Sequence, residues 1–449
     1  MLRNAEPWQR WLVRILRRDA SYRRLLRCRP AAAVRVGGSW RRIKRVRPLG
    51  WIVEILAEGG GRVRLPDDVR LQERWEKVQE DLLEVLRRCL RRSGRASPER
   101  ISCFGRYPWL YAAGRWSTGR DFLALLVAPE TPRTGIETVL MRLVRLADRK
   151  GPAAAYLVVV PAHWREAWVE YLELLRLPIT GWRYFPNGNV EQIFPRPRET
   201  AVAPSSFILH PFEPRVPEVL RKVQMRCPGS QLRFRGDRWE VSWRGLPLAW
   251  GVDDAGYWFD YLHPRPLRPE KDSELDLHLA EVRSVRNFPP PAPRSPYYRV
   301  LRERWLESLL VERLPGIFPD LTPDLYAQVP SLVEGERRVI DLLGATRDGR
   351  LVVLELKASQ DPGLLLQGLE YWERVRRHLA AGDFERHGYF PSLGLSPQPP
   401  MLVLVTPLFE FHRLLKTVRR YLAVPVEIVC LGVNQDWRRG LRVLRRFRL

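Results

Sequence analysis

Val339-Ile340-Asp341-Leu342-Leu343-Gly344-Ala345-Thr346-Arg347-Asp348-Gly349-Arg350-Leu351-Val352-Val353-Leu354-Glu355-Leu356-Lys357 reads as two apolar strands reversed at Asp348-Gly349. Aspartate followed by glycine is a strong turn pair, because glycine takes positive φ without steric cost. The runs on either side predict strands over 337–346 and 350–358. Side chains two apart on a strand share a face, so Glu355 and Lys357 project together, and pairing across the turn brings Asp341 beside them. The lysine is conspicuous in this chain. Of 76 Lys and Arg residues only seven are lysine (Lys44, Lys77, Lys150, Lys222, Lys271, Lys357 and Lys416), leaving 69 arginines (76 − 7). An ammonium is a compact charge whose pKa shifts readily, whereas a guanidinium stays protonated.

Around this hairpin the periodicity predicts a helix at 297–314 before it and a helix at 362–379 after it. A Gly/Pro/Ser-rich stretch (388–400) is followed by a strand at 401–406, a helix at 408–421 and a strand at 425–433. That alternation implies an α/β mixed sheet flanked by helices. Upstream, Asn287-Phe288-Pro289-Pro290-Pro291-Ala292-Pro293-Arg294-Ser295-Pro296 is a stiff Pro-rich linker. The region 191–286 predicts one helix near Pro217–Met225 and then strands, with arginines and aromatics alternating from Gln231 to Trp243. Such alternation suits either a grip on a nucleic-acid strand or an antiparallel sheet with arginines on its wet face.

The two halves of the chain resemble each other at an offset of 230. Glu303-Arg304-Trp305 matches Glu73-Arg74-Trp75, Gly344 matches Gly114, and Gly349-Arg350 matches Gly119-Arg120. Ala358 matches Ala128 and Pro362 matches Pro132, all without a gap. Further on, Leu402-Val403-Leu404-Val405-Thr406-Pro407 is similar to Tyr156-Leu157-Val158-Val159-Val160-Pro161. Self-similarity at a long period suggests duplicated domains.

At 449 residues the chain is long enough for several domains with real cores. Its net charge of +25 points to a polyanionic partner, with nucleic acid ahead of an anionic membrane surface; a general bias toward arginine gives the same charge. The five cysteines have neither CxxC spacing nor histidine company, so no zinc site or disulfide framework is expected. No apolar run is long enough to cross a bilayer, and the N-terminus has no uninterrupted apolar region of the secretory kind. Trp8, Trp11, Arg14, Arg17 and Arg18 fit a basic amphipathic helix, on a polyanion or on its own domain. No GxxxxGK[ST] loop is present, which argues against an internal ATPase motor. The seven histidines are scattered, and solvated or capping roles are expected for His378 and His387.

Two carboxylates beside waters and a phosphate oxygen make a hard octahedral site suited to Mg²⁺, and a lysine next to them orients water or stabilises developing charge. Gln367 and Tyr371, four apart on the next helix, share a face. On the preceding helix Glu303 and Glu307 are also four apart; Glu307 follows the apolar Trp305-Leu306 and is the better placed to add a carboxylate. The plain structural alternative is a hairpin ion pair between Lys357 and either Asp341 or Glu355. The apolar flanks make that alternative costly, because a buried Asp, Glu and Lys cluster is expensive unless it has a task.

Asp341, the Glu355-Leu356-Lys357 triplet, the upstream Glu307 and the trailing Gln367 and Tyr371 together resemble the PD-(D/E)XK nuclease superfamily, most closely the nuclease domain of NucS-type mismatch endonucleases and RecB-like nucleases. The resemblance covers about Tyr297 to Val433; Ile340 stands where the proline before the aspartate is expected, and nothing before residue 297 looks like the small β-sandwich of the NucS type. It implies a restriction-endonuclease-like fold over 297–449 and a metal-dependent DNA endonuclease. Glu307, Asp341 and Glu355 would be ligands to Mg²⁺ or Mn²⁺, and Asp341, Glu355, Lys357, Gln367 and Tyr371 the catalytic set. The remaining expectations are a basic N-terminal segment with short strands (1–68), a degenerate nuclease-like α/β domain (69–190), a β-rich middle region (191–286) and the linker (287–296). In the degenerate copy Glu307 becomes Lys77, Asp341 becomes Tyr111, Glu355 becomes Leu125, Lys357 becomes Val127, Gln367 becomes Glu137 and Tyr371 becomes Met141. DNA is the expected partner and the cytoplasm the expected compartment, without a membrane. Assembly is expected as a homodimer or as a pseudo-symmetric pairing of the two nuclease-like domains. A catalytically silent DNA-binding or scaffold protein on the same fold, and an RNA-directed nuclease, are the alternatives.

Overall fold

A computed structural model describes residues 33–36, 39–49, 52–57, 62–66, 68–94, 98, 100–106, 108–129, 131, 136–164, 174–193, 216–235, 238–252, 256–268, 272–289, 294–333 and 336–449. The amphipathic reading of Trp8 to Arg18 lies outside these residues, as do Trp168 and Tyr171, which the sequence spaces as core with Trp164. Trp164 itself is buried. The chain is mixed α/β and divides into two compact units. One holds residues up to Thr134 with Ala153–Trp164 and Ile179–Ile193; the other holds Gly135–Pro152, Arg165–Pro178 and Phe194–Leu449.

The first unit opens with a four-stranded antiparallel sheet of β1 (Ala33–Val36), β2 (Ser39–Leu49), β3 (Ile52–Ala57) and β4 (Arg62–Pro66), paired in chain order. Helix α1 (Asp68–Arg92) then precedes a mixed six-stranded sheet of β5 (Arg100–Arg106), β6 (Trp109–Arg115), β7 (Asp121–Val127), β8 (Ala155–Pro161), β9 (Ile179–Tyr184) and β10 (Val190–Ile193). Leu82, Val85, Leu86, Cys89 and Leu90 recur at helical spacing on α1 and pack on Leu110, Ala112, Phe122, Ala124, Leu126, Leu157 and Val159, which are alternate residues of the strands.

The second unit begins with α2 (Ile136–Lys150). Its middle region carries α3 (Glu218–Arg226), an antiparallel sheet of β11 (Gln231–Arg235), β12 (Arg238–Trp243), β13 (Leu246–Val252), β14 (Gly256–Phe259) and β15 (Arg265–Pro266), and α4 (Asp272–Val285). Leu220, Val223, Trp239, Val241, Leu248, Leu275 and Leu279 form its core. The alternating arginine and aromatic segment is therefore the β11–β12 hairpin of an antiparallel sheet, and Arg238 lies over the Trp250 ring. Buried Arg286, ahead of the Pro-rich stretch, donates to the carbonyls of Tyr297 and Val300 beyond it.

The remaining elements are α5 (Pro296–Arg299), α6 (Arg302–Ile317), β16 (Leu321–Val333), β17 (Glu336–Thr346), β18 (Leu351–Leu356), α7 (Leu364–Ala380), α8 (Asp383–Arg386), β19 (Met401–Pro407), α9 (Leu415–Arg420), β20 (Glu427–Val433) and β21 (Val443–Arg448). They build a second mixed six-stranded sheet. Trp305, Leu306, Leu310 and Leu314 of α6 pack on Leu342, Leu354, Leu356, Val403 and Val405. Two expectations are corrected here. The helix expected at 297–314 is broken at Leu301, whose φ is +49°, into α5 and α6. The helix expected at 408–421 is a 3-10 turn (Leu408–Glu410) followed by α9, because Phe411 stands in extended backbone between them. The basic terminus is an edge strand: β21 hydrogen-bonds to β20 through residues such as Arg446, opposite Leu431.

The two six-stranded sheets share one plan. Each runs antiparallel, antiparallel, parallel, parallel, antiparallel in chain order, with a long helix directly before the first strand and another between the third and fourth, where the second sheet adds the short α8. Register repeats as well. Ala112 faces Ala124 as Leu342 faces Leu354 (342 − 112 = 354 − 124 = 230), and Phe122 faces Ala155 as Val352 faces Met401. Even the turn hydrogen bonds repeat: Gly119 N to Trp116 O at 2.9 Å and Gly349 N to Thr346 O at 2.8 Å.

Both turn glycines have positive φ, +77° at Gly119 and +82° at Gly349. A Cβ on Gly119 would meet nothing within 4 Å, whereas one on Gly349 would sit 2.1 Å from the Gly394 carbonyl oxygen. Gly119→Ala should therefore cost only the left-handed penalty of about 1 kcal/mol. Gly349→Ala should cost clearly more, because backbone must move as well. Equal losses of stability in urea titrations of the two variants would contradict this.

Candidate functional site

β18 positions the centre of the site. Its six residues are all buried, and Lys357 prolongs the parallel ladder by donating its N–H to Val405 O at 2.9 Å. One step beyond the Leu342–Leu354 pair, the register sets Asp341 opposite Glu355. Asp341 turns its carboxylate inward, where Oδ2 accepts the Leu356 N–H at 2.9 Å. Lys357 Nζ donates to Glu355 Oε1 at 2.8 Å. The other oxygen, Glu355 Oε2, is buried and has no hydrogen-bond partner, and Glu355 as a whole is 0% exposed.

Helix α7 covers this carboxylate. A Cβ at Gly368 would lie 3.0 Å from Leu404 Cδ2 and 3.5 Å from Glu355 Cβ, so glycine permits the close approach of helix to sheet. Gln367 and Tyr371 face the same way one turn apart, with Gln367 Nε2 donating to Tyr371 OH at 3.2 Å. From α6, buried Glu307 reaches the site through Gln328: Gln328 Nε2 donates to Glu307 Oε2 at 2.7 Å and lies 3.5 Å from Asp341 Oδ1. Glu303 is exposed one turn earlier on α6, and its charge is still felt at Asp341, Glu355 and Lys357.

The electrostatics follow from burial. Burial pushes the Asp341 carboxyl up to about 7; Lys357 opposes the rise and Glu307 adds to it. Glu355 is raised well above the carboxylate range by burial and by the charge of Asp341, against the pull of Lys357. Burial by itself would lower the Lys357 ammonium, but the carboxylates of Glu355, Glu303 and Asp341 outweigh it and raise it. Burial and the Glu355 charge also raise the Tyr371 hydroxyl.

The structure thus brings Asp341, Glu355 and Lys357 into one cluster, seats Gln367 and Tyr371 on the covering helix, and connects Glu307 through an amide. Among the described residues, no group of three or more His, Cys, Asp or Glu side chains is assembled that could hold a metal ion. The carboxylates are instead held by the Gln328 amide, the Leu356 N–H and the Lys357 ammonium. Gln328 is the residue that sequence reasoning missed. It stands across from Asp341, between the Ala327–Leu342 and Val329–Ile340 pairs, with φ of +55°. Non-glycine residues seldom hold such a conformation inside a strand. The only sequence signal was a polar side chain between Ala327 and Val329.

His378, expected to be solvated or capping, is buried, with Nδ1 2.5 Å from Asp383 Oδ2. In the first unit, Leu125 and Val127 at the positions of Glu355 and Lys357 are fully buried, and Tyr111 at the position of Asp341 stacks on Phe104 with centroids 5.4 Å apart. No helix among the described residues is long and apolar enough to cross a membrane. No protein-family model matches the chain, and no curated protein does.

Because Asp341 is harder to ionise in the folded chain than in the unfolded one, its contribution to stability is complete below the ordinary carboxylate value of about 4 and is lost as pH rises through about 7. In EDTA, Asp341→Asn should therefore melt higher than the parent chain at pH 8, by on the order of a few degrees, with the gap closing toward pH 4. Parallel Tm profiles with no pH-dependent gap would contradict the raised pKa of this carboxyl.

Proposed function

We propose that this chain is a metal-dependent nuclease that hydrolyses DNA phosphodiester bonds at the Asp341, Glu355 and Lys357 cluster. The observation that carries the reading is Glu355: a fully buried carboxylate with one oxygen on an ammonium and the other unpartnered. Such an arrangement is costly in a purely structural role. The order helix, three antiparallel strands, helix, parallel strand, with acidic residues on the second and third strands and lysine at the end of the third, supports a PD-(D/E)XK nuclease of restriction-endonuclease-like fold. The matching plan and register of the first unit support a duplication whose upstream copy has lost the charges. DNA as partner, a cytoplasmic setting, and a homodimer or pseudo-symmetric pairing belong to the same proposal.

The residues fit a divalent cation. Glu355 Oε2 lacks a partner, Asp341 sets negative charge beside it, and Glu307 adds to the charge at Asp341. Asp341 and Glu355 would hold Mg²⁺ or Mn²⁺, with Glu307 once Gln328 yields its oxygen. Bound there, the ion would polarise the scissile phosphate and lower the pKa of water. Lys357, its charged form favoured by the surrounding carboxylates, orients the attacking water and stabilises charge on the phosphate. Tyr371, its proton held by burial, donates or positions through Gln367. Asp341 is kept in place by the Leu356 N–H.

Plasmid nicking in Mg²⁺ or Mn²⁺ tests this. Lys357→Ala and Asp341→Ala should each lose about a hundredfold or more of the rate while the chain stays folded. Binding of DNA by the parent chain without cleavage in either metal would overturn the enzyme reading in favour of a silent DNA-binding protein. Cleavage confined to RNA would reassign the substrate.

A further inference from the structure

A groove of about 1110 Å³ runs between the middle region and the β16–β17 side of the nuclease-like sheet, within one compact unit. Arg221 and Gln224 of α3 and Arg233 of β11 line one wall; Tyr326 and Gln328 of β16, with Arg347 of the hairpin turn, line the other. Guanidinium groups thus stand on both walls, and among the described residues of the lining Asp324 is the one carboxylate. The lining includes Gln328, whose amide donates to Glu307 Oε2 and lies 3.5 Å from Asp341 Oδ1. The groove is therefore one side chain away from the carboxylates.

We infer that this groove binds a single-stranded polynucleotide and leads it to the Asp341–Glu355–Lys357 cluster. Arginines on opposite walls match a phosphate backbone, and the aromatic pair of Tyr326 and Tyr389, 4.4 Å between centroids, with the Gln224 amide, matches bases, which every strand presents as flat, hydrogen-bonding faces. Size selects the strand over the duplex. The volume is near the roughly 300–1,000 Å³ of pockets that enclose a small ligand, enough for a few nucleotides. A duplex turn carries about 10 base pairs and has no room in it. The middle region is then a clamp rather than a spacer, with α3 and β11 as one jaw and β16 as the other. The destination of the strand rests on the nuclease reading; the binding does not.

The test separates the two. Affinity of the full chain for a labelled oligodeoxynucleotide of about 12 nucleotides is measured by fluorescence anisotropy in EDTA, over a salt series, with a ribonucleotide and a duplex of the same sequence alongside. Arg221→Glu and Arg347→Glu change exposed side chains on opposite walls. Each should weaken single-strand binding about fivefold or more and lower the salt slope by about 0.7, the share of one phosphate contact on a single strand. Arg445→Glu, on β21 and outside the groove lining, should leave it unchanged. Tighter binding of the ribonucleotide, lost in the same two variants, supports the groove and assigns its strand as RNA. An effect at one wall only, an equal loss for the duplex, or a loss at Arg445 with both groove variants silent overturns the proposal. If the groove variants lose binding and the parent chain still cleaves nothing, the groove stands and the nuclease reading fails. If the parent chain cleaves and the groove variants bind and cleave as it does, the groove fails alone.

Discussion

The contact between Lys357 and Glu355 is the constraint around which the second unit is organised. A carboxylate buried at the heart of a sheet survives only with a counter-charge within hydrogen-bonding distance, and Lys357 supplies it at 2.8 Å. To reach it, the lysine must continue the strand, which it does through its N–H on Val405. The helix above must come close without a side chain in the way, and Gly368 allows that. Asp341 must sit opposite in register, and the turn at Gly349 sets that register. Strand, helix and turn each accommodate one pair of charges and the oxygen it leaves unpaired.

The first unit shows what the same plan looks like without that pair. Leu125 and Val127 occupy the equivalent strand positions at 0% exposure, as buried as Glu355. The scaffold therefore does not need charge at these places, and an apolar side chain satisfies them at lower cost. One sheet carries charge where the other carries hydrocarbon, a difference that packing alone does not require. Tyr111, stacked on Phe104 where the other sheet has Asp341, completes the change from a charged cluster to packing.

The hairpin, the pairing of Glu355 with Lys357 and the face shared by Gln367 and Tyr371 were legible because strand period, turn chemistry and helix period are local properties. So was the ungapped offset of 230, and the pairs Ala112–Ala124 and Leu342–Leu354 keep it. Gln328 was not. Its role depends on β16 lying antiparallel to β17 and on a left-handed residue in a strand, neither of which leaves a mark in hydrophobic pattern. The break at Leu301 and the shortness of α9 were missed for a related reason: helical periodicity continued where packing did not.

The sequence by itself determined which residues carry charge, how far apart they stand along each strand and helix, and that one of two similar sheets lacks them. Tertiary structure decided how those charges are compensated. Long-range pairing chose a Gln328 amide between Glu307 and Asp341, left Glu355 Oε2 alone, and folded an arginine-lined groove from segments about a hundred residues apart. Burial and counter-charge are properties of three-dimensional neighbourhood, and no local period encodes them.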